Sequence, residues 1–496
     1  MYWLELIVLT LYTGALSFIF LYSLSQLNLV YLFRKAKRKG RLPDQPELPE
    51  NYEYPLVTVQ LPVYNELYVV ERLIDAVASF DWPKDRFEVQ VLDDSNDETV
   101  ELIAQKVAEW QAKGVDITQV RRTDRKGFKA GALQYGITIA KGEFFAIFDA
   151  DFVPDQDFLK KTVPHFEKDE KIGVVQSRWG HLNQEYSMLT KLQAFGLNTH
   201  FFVEQNGRSS GKHFLNFNGT AGVWRKSCIL DAGGWKADTL TEDLDLSYRA
   251  LLNGWQIFYV SNTVAPAELP AAMGAIKSQQ YRWTKGAAET SRKLLPKVLK
   301  APLPFATKFH ATFHLLNSAI FICIVITAKL SVPEMFLRYL SSGWQLLINV
   351  STIFLLGYVF LIIFYWNGFK EEKESFWKTL KEFVPQMFML LSVFLGLSIH
   401  NAVAVIEGLI GKKTPFVRTP KFNITKKEGG WKNNKYFSRK INPLTLLEGL
   451  LSLYFISGLG FAFYFNDFAL MPFHILLSLG FVLVFYYTVQ HTRHAA

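Results

Sequence analysis

Long apolar runs toward both ends of this chain, with a charged and turn-rich stretch between them, leave few folds open. Residues 4–33 are apolar over a length that crosses a bilayer, since about 20 helical residues span the hydrocarbon core. Runs at 309–330, 344–366, 444–465 and 471–489 have similar length and character. Hydrophobic residues make up 49% of the 496, more than a purely soluble enzyme of this size carries. The pattern predicts a water-facing domain inserted between membrane helices.

Charge sets the expected orientation. The net charge is +9, and much of it lies in two blocks, at 34–41 and 412–440, each beside an apolar run. Basic residues flanking membrane helices mark the cytoplasmic side. No motif of a nucleic-acid-binding module accompanies them, so no nucleic-acid partner is expected. The start, Met-Tyr-Trp-Leu-Glu, lacks the basic region of a signal peptide, so 4–33 reads as an uncleaved anchor. A further apolar run, 384–406, would place 412–440 outside if it crossed the membrane. Read instead as an interfacial or re-entrant segment, with Pro385, His400 and Asn401 in it, it puts every basic block inside. The expectation is five spans and an outside amino terminus. Two isolated cysteines, Cys228 and Cys323, make neither a metal framework nor a disulfide scaffold.

Between residues 55 and 265 the pattern alternates. Strands are predicted at 56–61, 88–92 and 144–148, and helices at 69–79 and 99–113. Such alternation gives a mostly parallel, Rossmann-like α/β sheet whose ligands bind beyond the carboxyl ends of the strands. The carboxylates fall there. Asp93-Asp94-Ser95 follows the second strand and Asp149-Ala150-Asp151 ends the third. Strand alternation would turn Asp149 and Asp151 to one face, and two carboxylates with diphosphate oxygens suit Mg²⁺ or Mn²⁺. The plainer reading is an acidic turn.

Further along, Lys126 and Lys129 flank Gly127 near a predicted helix start, a setting that favours phosphate, or else a solvated basic turn. Thr241-Glu242-Asp243 precedes a helical run, 244–252. Thr241 can cap that helix with Glu242 in its first turn, which leaves Asp243 for general-base work on a sugar hydroxyl. Gln279-Gln280-Tyr281-Arg282-Trp283 suits an amphipathic helix lying on the bilayer. It equally suits a site where Arg282 offsets a leaving diphosphate and Trp283 stacks on a sugar ring.

The order Asp-Asp-Ser, Lys-Ala-Gly, Asp-Ala-Asp, Thr-Glu-Asp, Gln-Gln-x-Arg-Trp resembles the processive inverting family 2 glycosyltransferases of the cellulose synthase superfamily. The resemblance runs from Pro62-Val63-Tyr64-Asn65-Glu66 to the last apolar run. The stretch Phe217-Asn218-Gly219-Thr220-Ala221-Gly222-Val223-Trp224 looks closest to the cellulose synthase-like A and C groups, associated with glucomannan and with the xyloglucan backbone. It implies a GT-A domain and a nucleotide-sugar donor, UDP-glucose or GDP-mannose. It also implies a nascent β-linked polysaccharide extruded across a plasma, inner or Golgi membrane.

Carried onto this chain, the resemblance puts Glu66, Asp93, Asp94, Lys129, Asp149, Asp151 and Arg282 on the donor, with the metal at Asp149 and Asp151. It puts Gln279, Gln280, Trp283, Thr241 and Glu242 on the acceptor, makes Asp243 the base, and makes Phe416, Thr419 and Lys421 a gating loop. Arg418 departs from that loop's pattern, and Phe152 stands where many relatives carry a His. The implied domains are an anchor (1–33), a basic linker (34–54), a catalytic domain (55–265) and interfacial helices (266–308). Two spans (309–366), a cytoplasmic segment (367–443) and two further spans (444–490) follow. Asn317 and Glu448 are polar within spans and suit either a channel lining or interhelical hydrogen bonds. A non-processive transferase making a lipid-linked sugar is the alternative, and a transporter or scaffold with an inactive domain is the reading from another class.

Overall fold

The computed structural model describes residues 2–43, 46, 48–340, 353–373, 375–414, 418–425, 435–436 and 442–493. Seven strands build the central domain: β1 Val57–Val63, β2 Phe87–Asp93, β3 Ile117–Arg121, β4 Phe144–Ile147, β5 Ile172–His181, β6 Gly222–Arg225 and β7 Gln256–Ala267. They form one sheet in the order β3-β2-β1-β4-β6-β5-β7. β1 pairs parallel with β2 and β4, and β2 with β3. β6 runs antiparallel between β4 and β5, and β5 pairs parallel with β7. This is a mostly parallel GT-A-type sheet inserted between apolar helices.

The predicted strands 56–61, 88–92 and 144–148 correspond to β1, β2 and β4. Their Val, Ile and Phe content fits strands covered on both faces, and all seven residues of β2 are buried. One face packs Val57, Val59 and Leu61 with Leu73 and Val77 of the helix Val70–Ala78. The other face carries Leu92, Phe145, Ile147, Trp224 and Tyr259. Buried polar side chains on the sheet are paired across strands: Thr58 Oγ1 donates to Glu88 at 2.7 Å and Gln60 Nε2 to Gln90 at 3.0 Å.

Around this domain, four helices among the described residues are long and apolar enough to cross a membrane: Trp3–Arg38, Asn317–Tyr339, Pro443–Phe465 and Met471–Arg493. The run read as 309–330 divides. Its first residues belong to the separate helix Phe305–Leu315, and the span proper begins at Asn317. Of the run 344–366, residues 344–352 lie outside the described residues, and most of the rest falls in the short apolar helix Leu356–Phe369. The run 384–406 falls in a bent pair, Phe376–Gly396 and Ser398–Ile410, with 49° between the two. Pro385 sits inside the first helix and is not the hinge. The break follows Gly396, where the backbone of Gly480 on the last helix approaches closely.

Candidate active site

A cavity of about 200 Å³ opens beyond the carboxyl ends of the central strands, where open α/β sheets place their ligands. Its wall gathers Glu66, Asp94, Lys129, Asp149, Asp151, Thr241, Glu242, Asp243, Gln279, Arg282, Trp283, Thr419 and Lys421. Residues as far apart in sequence as Glu66 and Lys421 thus meet, from five loops and three helices.

The structure corrects three readings of how they meet. β4 ends at Ile147, so Asp149 and Asp151 lie in the turn beyond it, and strand alternation does not bring them together. Both line the cavity from that turn, where Lys129 Nζ donates to Asp149 Oδ1 at 2.6 Å and to the Gly219 carbonyl at 2.8 Å. Asp93 turns away from the cavity. Its carboxylate is buried and accepts from the Ser95 amide, Gln119 and Arg121, so it fixes the loop while Asp94 faces in. Thr241 precedes the helix Glu242–Leu252 but makes no capping bond. Its hydroxyl meets that of Thr290 at 3.2 Å instead.

Gln280 points elsewhere as well: it lines a second cavity, not the first. Phe416 lies outside the described residues.

Two close approaches set one edge of the cavity. Gly219 has φ +82°, and a Cβ there would stand 3.0 Å from Asp243 Oδ2. Only glycine occupies that backbone without strain while leaving the carboxylate room. On the opposite side a Cβ at Gly286 would stand 2.5 Å from Thr241 Cγ2. The bare glycine lets the long helix Met273–Lys300, which carries Arg282 and Trp283, press against the loop ahead of Asp243. Glu289 accepts the Leu240 amide at 2.8 Å, and Lys293 bridges to buried Asp245 at 2.7 Å. Asp243 and Arg282 are thereby held on one joint.

Electrostatics follow from burial. Burial, then the neighbouring Glu242, push the Asp243 carboxyl up to about 7, against the pull of Lys129. Burial likewise raises Glu66 to about 7 despite Arg418 and Lys421. Burial works to lower Lys129, but Asp149 and Glu242 outweigh it and hold the amine above its ordinary range. Lys421 behaves alike through Asp151, to which it donates at 2.5 Å. Arg282 is lowered by burial, with Asp149 and Glu242 opposing.

Several lining residues had no place in the cavity assigned from the sequence. Glu268 accepts the amides of Phe422 and Asn423 at 2.8 and 3.0 Å, which docks the segment carrying Lys421. Arg418, the departure from the loop pattern, lies 3.2 Å from Glu66 and stacks over Tyr436. The Arg125 guanidinium covers the Tyr64 ring at 3.2 Å beside Asp94. Phe152 packs edge-to-face on Trp179 and is a wall residue. The chemistry of Asp149 and Asp151 fits a hard divalent cation: both are carboxylates in one cavity, and each already draws an ammonium group.

The second cavity, about 280 Å³, lies among the apolar helices. Trp283 lines both. Its other walls include Tyr22, Gln280, Asn317, Phe321, Tyr365 and Phe394. Asn317 is therefore a cavity residue, whereas Glu448 is buried in an ion pair with Lys277 at 2.6 Å.

Comparison with known proteins agrees with this architecture. A family model described as Glycosyltransferase like family 2 matches residues 55–286. A glucomannan 4-beta-mannosyltransferase 1 of Oryza sativa subsp. japonica is 35% identical over 441 residues, covering 84% of this chain and 79% of the relative. A protein of the same name from Cyamopsis tetragonoloba is 41% identical over 325 residues, 62% of each chain. The match thus spans less than two thirds of that relative's length. A solved mannosyltransferase from Pyrobaculum calidifontis, in complex with GDP-Man and Mn²⁺, shares the fold at TM-score 0.55 and 20% identity, over 80% of this chain and 100% of its own.

The chain belongs to the family 2 glycosyltransferases. Within them its relatives are the glucomannan 4-beta-mannosyltransferases of the cellulose synthase-like A group.

Proposed function

We propose that the protein is a membrane-embedded, inverting hexosyltransferase. It transfers mannose from GDP-mannose, or glucose from UDP-glucose, to a growing β-linked polysaccharide that leaves through the helix bundle. One observation carries this reading: Trp283 lines both the carboxylate-rich cavity and the aromatic cavity among the apolar helices. A product end stacked on that indole has the base on one side and a route into the bundle on the other. The names of the relatives favour mannose.

Asp243 accepts the proton of the acceptor hydroxyl as its oxygen attacks the anomeric carbon, and the bond from that carbon to the diphosphate breaks. The raised carboxyl, close to neutral pH, suits a general base. Arg282 and Lys129 balance charge on the departing nucleoside diphosphate. Tyr64, Asp94 and Arg125 form the wall for the nucleoside. A divalent cation would be held by Asp149 and Asp151, where it supplies neutralisation of diphosphate charge. Lys421, now on Asp151, closes the segment over the donor, with Glu268 as its dock.

The catalytic side faces the cytoplasm in this reading, with the basic ends of the apolar helices. Incubating the purified chain with labelled GDP-mannose or UDP-glucose, followed by linkage and anomer analysis, tests it. A β-linked polymer is expected. An α-linked product, or a single sugar on lipid, would sink it.

A further inference from the structure

Away from both cavities, a groove of about 610 Å³ runs between the basic end of the helix Tyr2–Arg38 and the end of the helix Leu356–Phe369. One wall is a single helical stripe of Leu27, Val30, Tyr31, Arg34, Lys37 and Arg38, whose three- and four-residue spacing puts them on one face. The other wall is Ile363, Asn367, Lys370 and Glu371, with the same spacing. On both walls the residues toward the bundle centre are apolar, and those toward the helix ends are basic apart from Glu371. From Leu27 to Arg38 the groove extends about 16 Å at the helical rise of 1.5 Å per residue. That is room for a headgroup and the upper part of an acyl chain.

Among the described residues the charge here is not neutralised. Four cations, Arg34, Lys37, Arg38 and Lys370, face one carboxylate, Glu371, which pairs with Lys37 at 2.5 Å. Arg34, Arg38 and Lys370 meet no carboxylate within ion-pair distance among the described residues. Burial, then the like charge of Arg34, hold the Lys370 amine below its ordinary range, with Glu371 opposing. Asn367, 1% exposed, adds a carbonyl oxygen with no hydrogen-bond partner among the described residues.

We propose that this groove is a binding site for an anionic phospholipid, with the phosphate among Arg34, Lys37, Arg38 and Lys370 and an acyl chain along Leu27, Tyr31 and Ile363. An apolar slot capped by unneutralised cations at a membrane helix end has the chemistry of such a lipid. A bound lipid there ties the amino-terminal helix to the helix Leu356–Phe369, both of which pack under the central domain. The inference is independent of which sugar is transferred.

Native mass spectrometry of the purified full chain, titrated with phosphatidylglycerol or phosphatidylcholine, tests it. The chain is expected to retain phosphatidylglycerol at least tenfold better. The combined variant Arg34→Gln, Lys37→Gln, Lys370→Gln should lose that preference, while Lys297→Gln with Lys300→Gln keeps it. Equal retention of the two lipids would overturn the proposal. So would displacement of the lipid by inorganic phosphate, which would make this a free-phosphate site. Should the combined variant fail to fold, photo-crosslinking of the wild-type chain with a diazirine phosphatidylglycerol decides. Crosslinks within 27–38 and 363–371 support the site, and crosslinks only elsewhere overturn it.

Discussion

The two cavities that share Trp283 are built from opposite materials. The one in the α/β domain is walled by carboxylates and cations locked in pairs: Lys129 with Asp149, Lys421 with Asp151, Arg418 with Glu66. The one among the apolar helices is walled by Tyr22, Phe321, Tyr365 and Phe394, with Gln280 and Asn317 as its amide groups. The first can hold a polyanion and manage a proton. The second offers rings and sparse hydrogen-bond groups, a lining suited to the sugar chain of the proposed function. In the proposed function bond formation belongs to the first and passage to the second, so substitutions in each should fail in different ways.

The largest effect expected is from removing divalent metal. Chelation should reduce transfer to background, and Mn²⁺ or Mg²⁺ should restore it, while Asp149→Ala should not respond to added metal. Next is Asp243→Asn, which should lower kcat roughly 10²–10⁴-fold, the usual contribution of a general base. Its pH behaviour gives a second reading. The folded carboxyl is raised to about 7. Wild-type rate should therefore climb as pH rises through about 7 and the base ionises. Stability should move the other way: a raised carboxyl favours the fold below the unfolded value near 4, and that contribution is lost as pH rises through 7. Thermal melts should then show Asp243→Asn gaining on the wild type at pH 8 and matching it at low pH.

Arg282→Ala should cost about 10²–10³-fold in kcat if the guanidinium stabilises the leaving diphosphate. A change confined to KM would reassign it to ground-state binding. Gly286→Ala should cost about 1–3 kcal/mol by overpacking against Thr241, read as a lowered Tm, with activity falling as Arg282 and Asp243 separate. The smallest effect on rate is expected in the second cavity. Tyr365→Ala or Phe394→Ala should leave initial transfer nearly unchanged but alter product length, measured by size-exclusion chromatography of the polymer.

Much of this was legible in the sequence, for physical reasons. β1, β2 and β4 announce themselves as short apolar runs ended by acids and turns, and the acids at their ends mark the cavity. The second half of the sheet did not. β6 is four residues long, β5 carries Gln176, Ser177 and Arg178, and β7 holds Pro266, so none shows a clean period. With those strands went Trp179 and Glu268, whose place in the cavity depends on them. Of the pair Asp93 and Asp94, only the three-dimensional partners of Asp93 decide which acid faces in. Thr241 reads as a cap from its type and position, but the close packing at Gly286 draws its hydroxyl to Thr290. The split between Gln279 and Gln280 is one step of helical rotation, and which face meets which cavity depends on how Met273–Lys300 docks.

The division of labour itself is open to direct view. Cryo-electron microscopy of the chain in lipid nanodiscs, stalled during synthesis by withdrawing donor, should show a saccharide chain starting beside Asp243. The chain should pass the Trp283 indole and continue between Tyr22, Tyr365 and Phe394. A product that leaves the first cavity toward solvent, with lipid filling the second, would contradict the account.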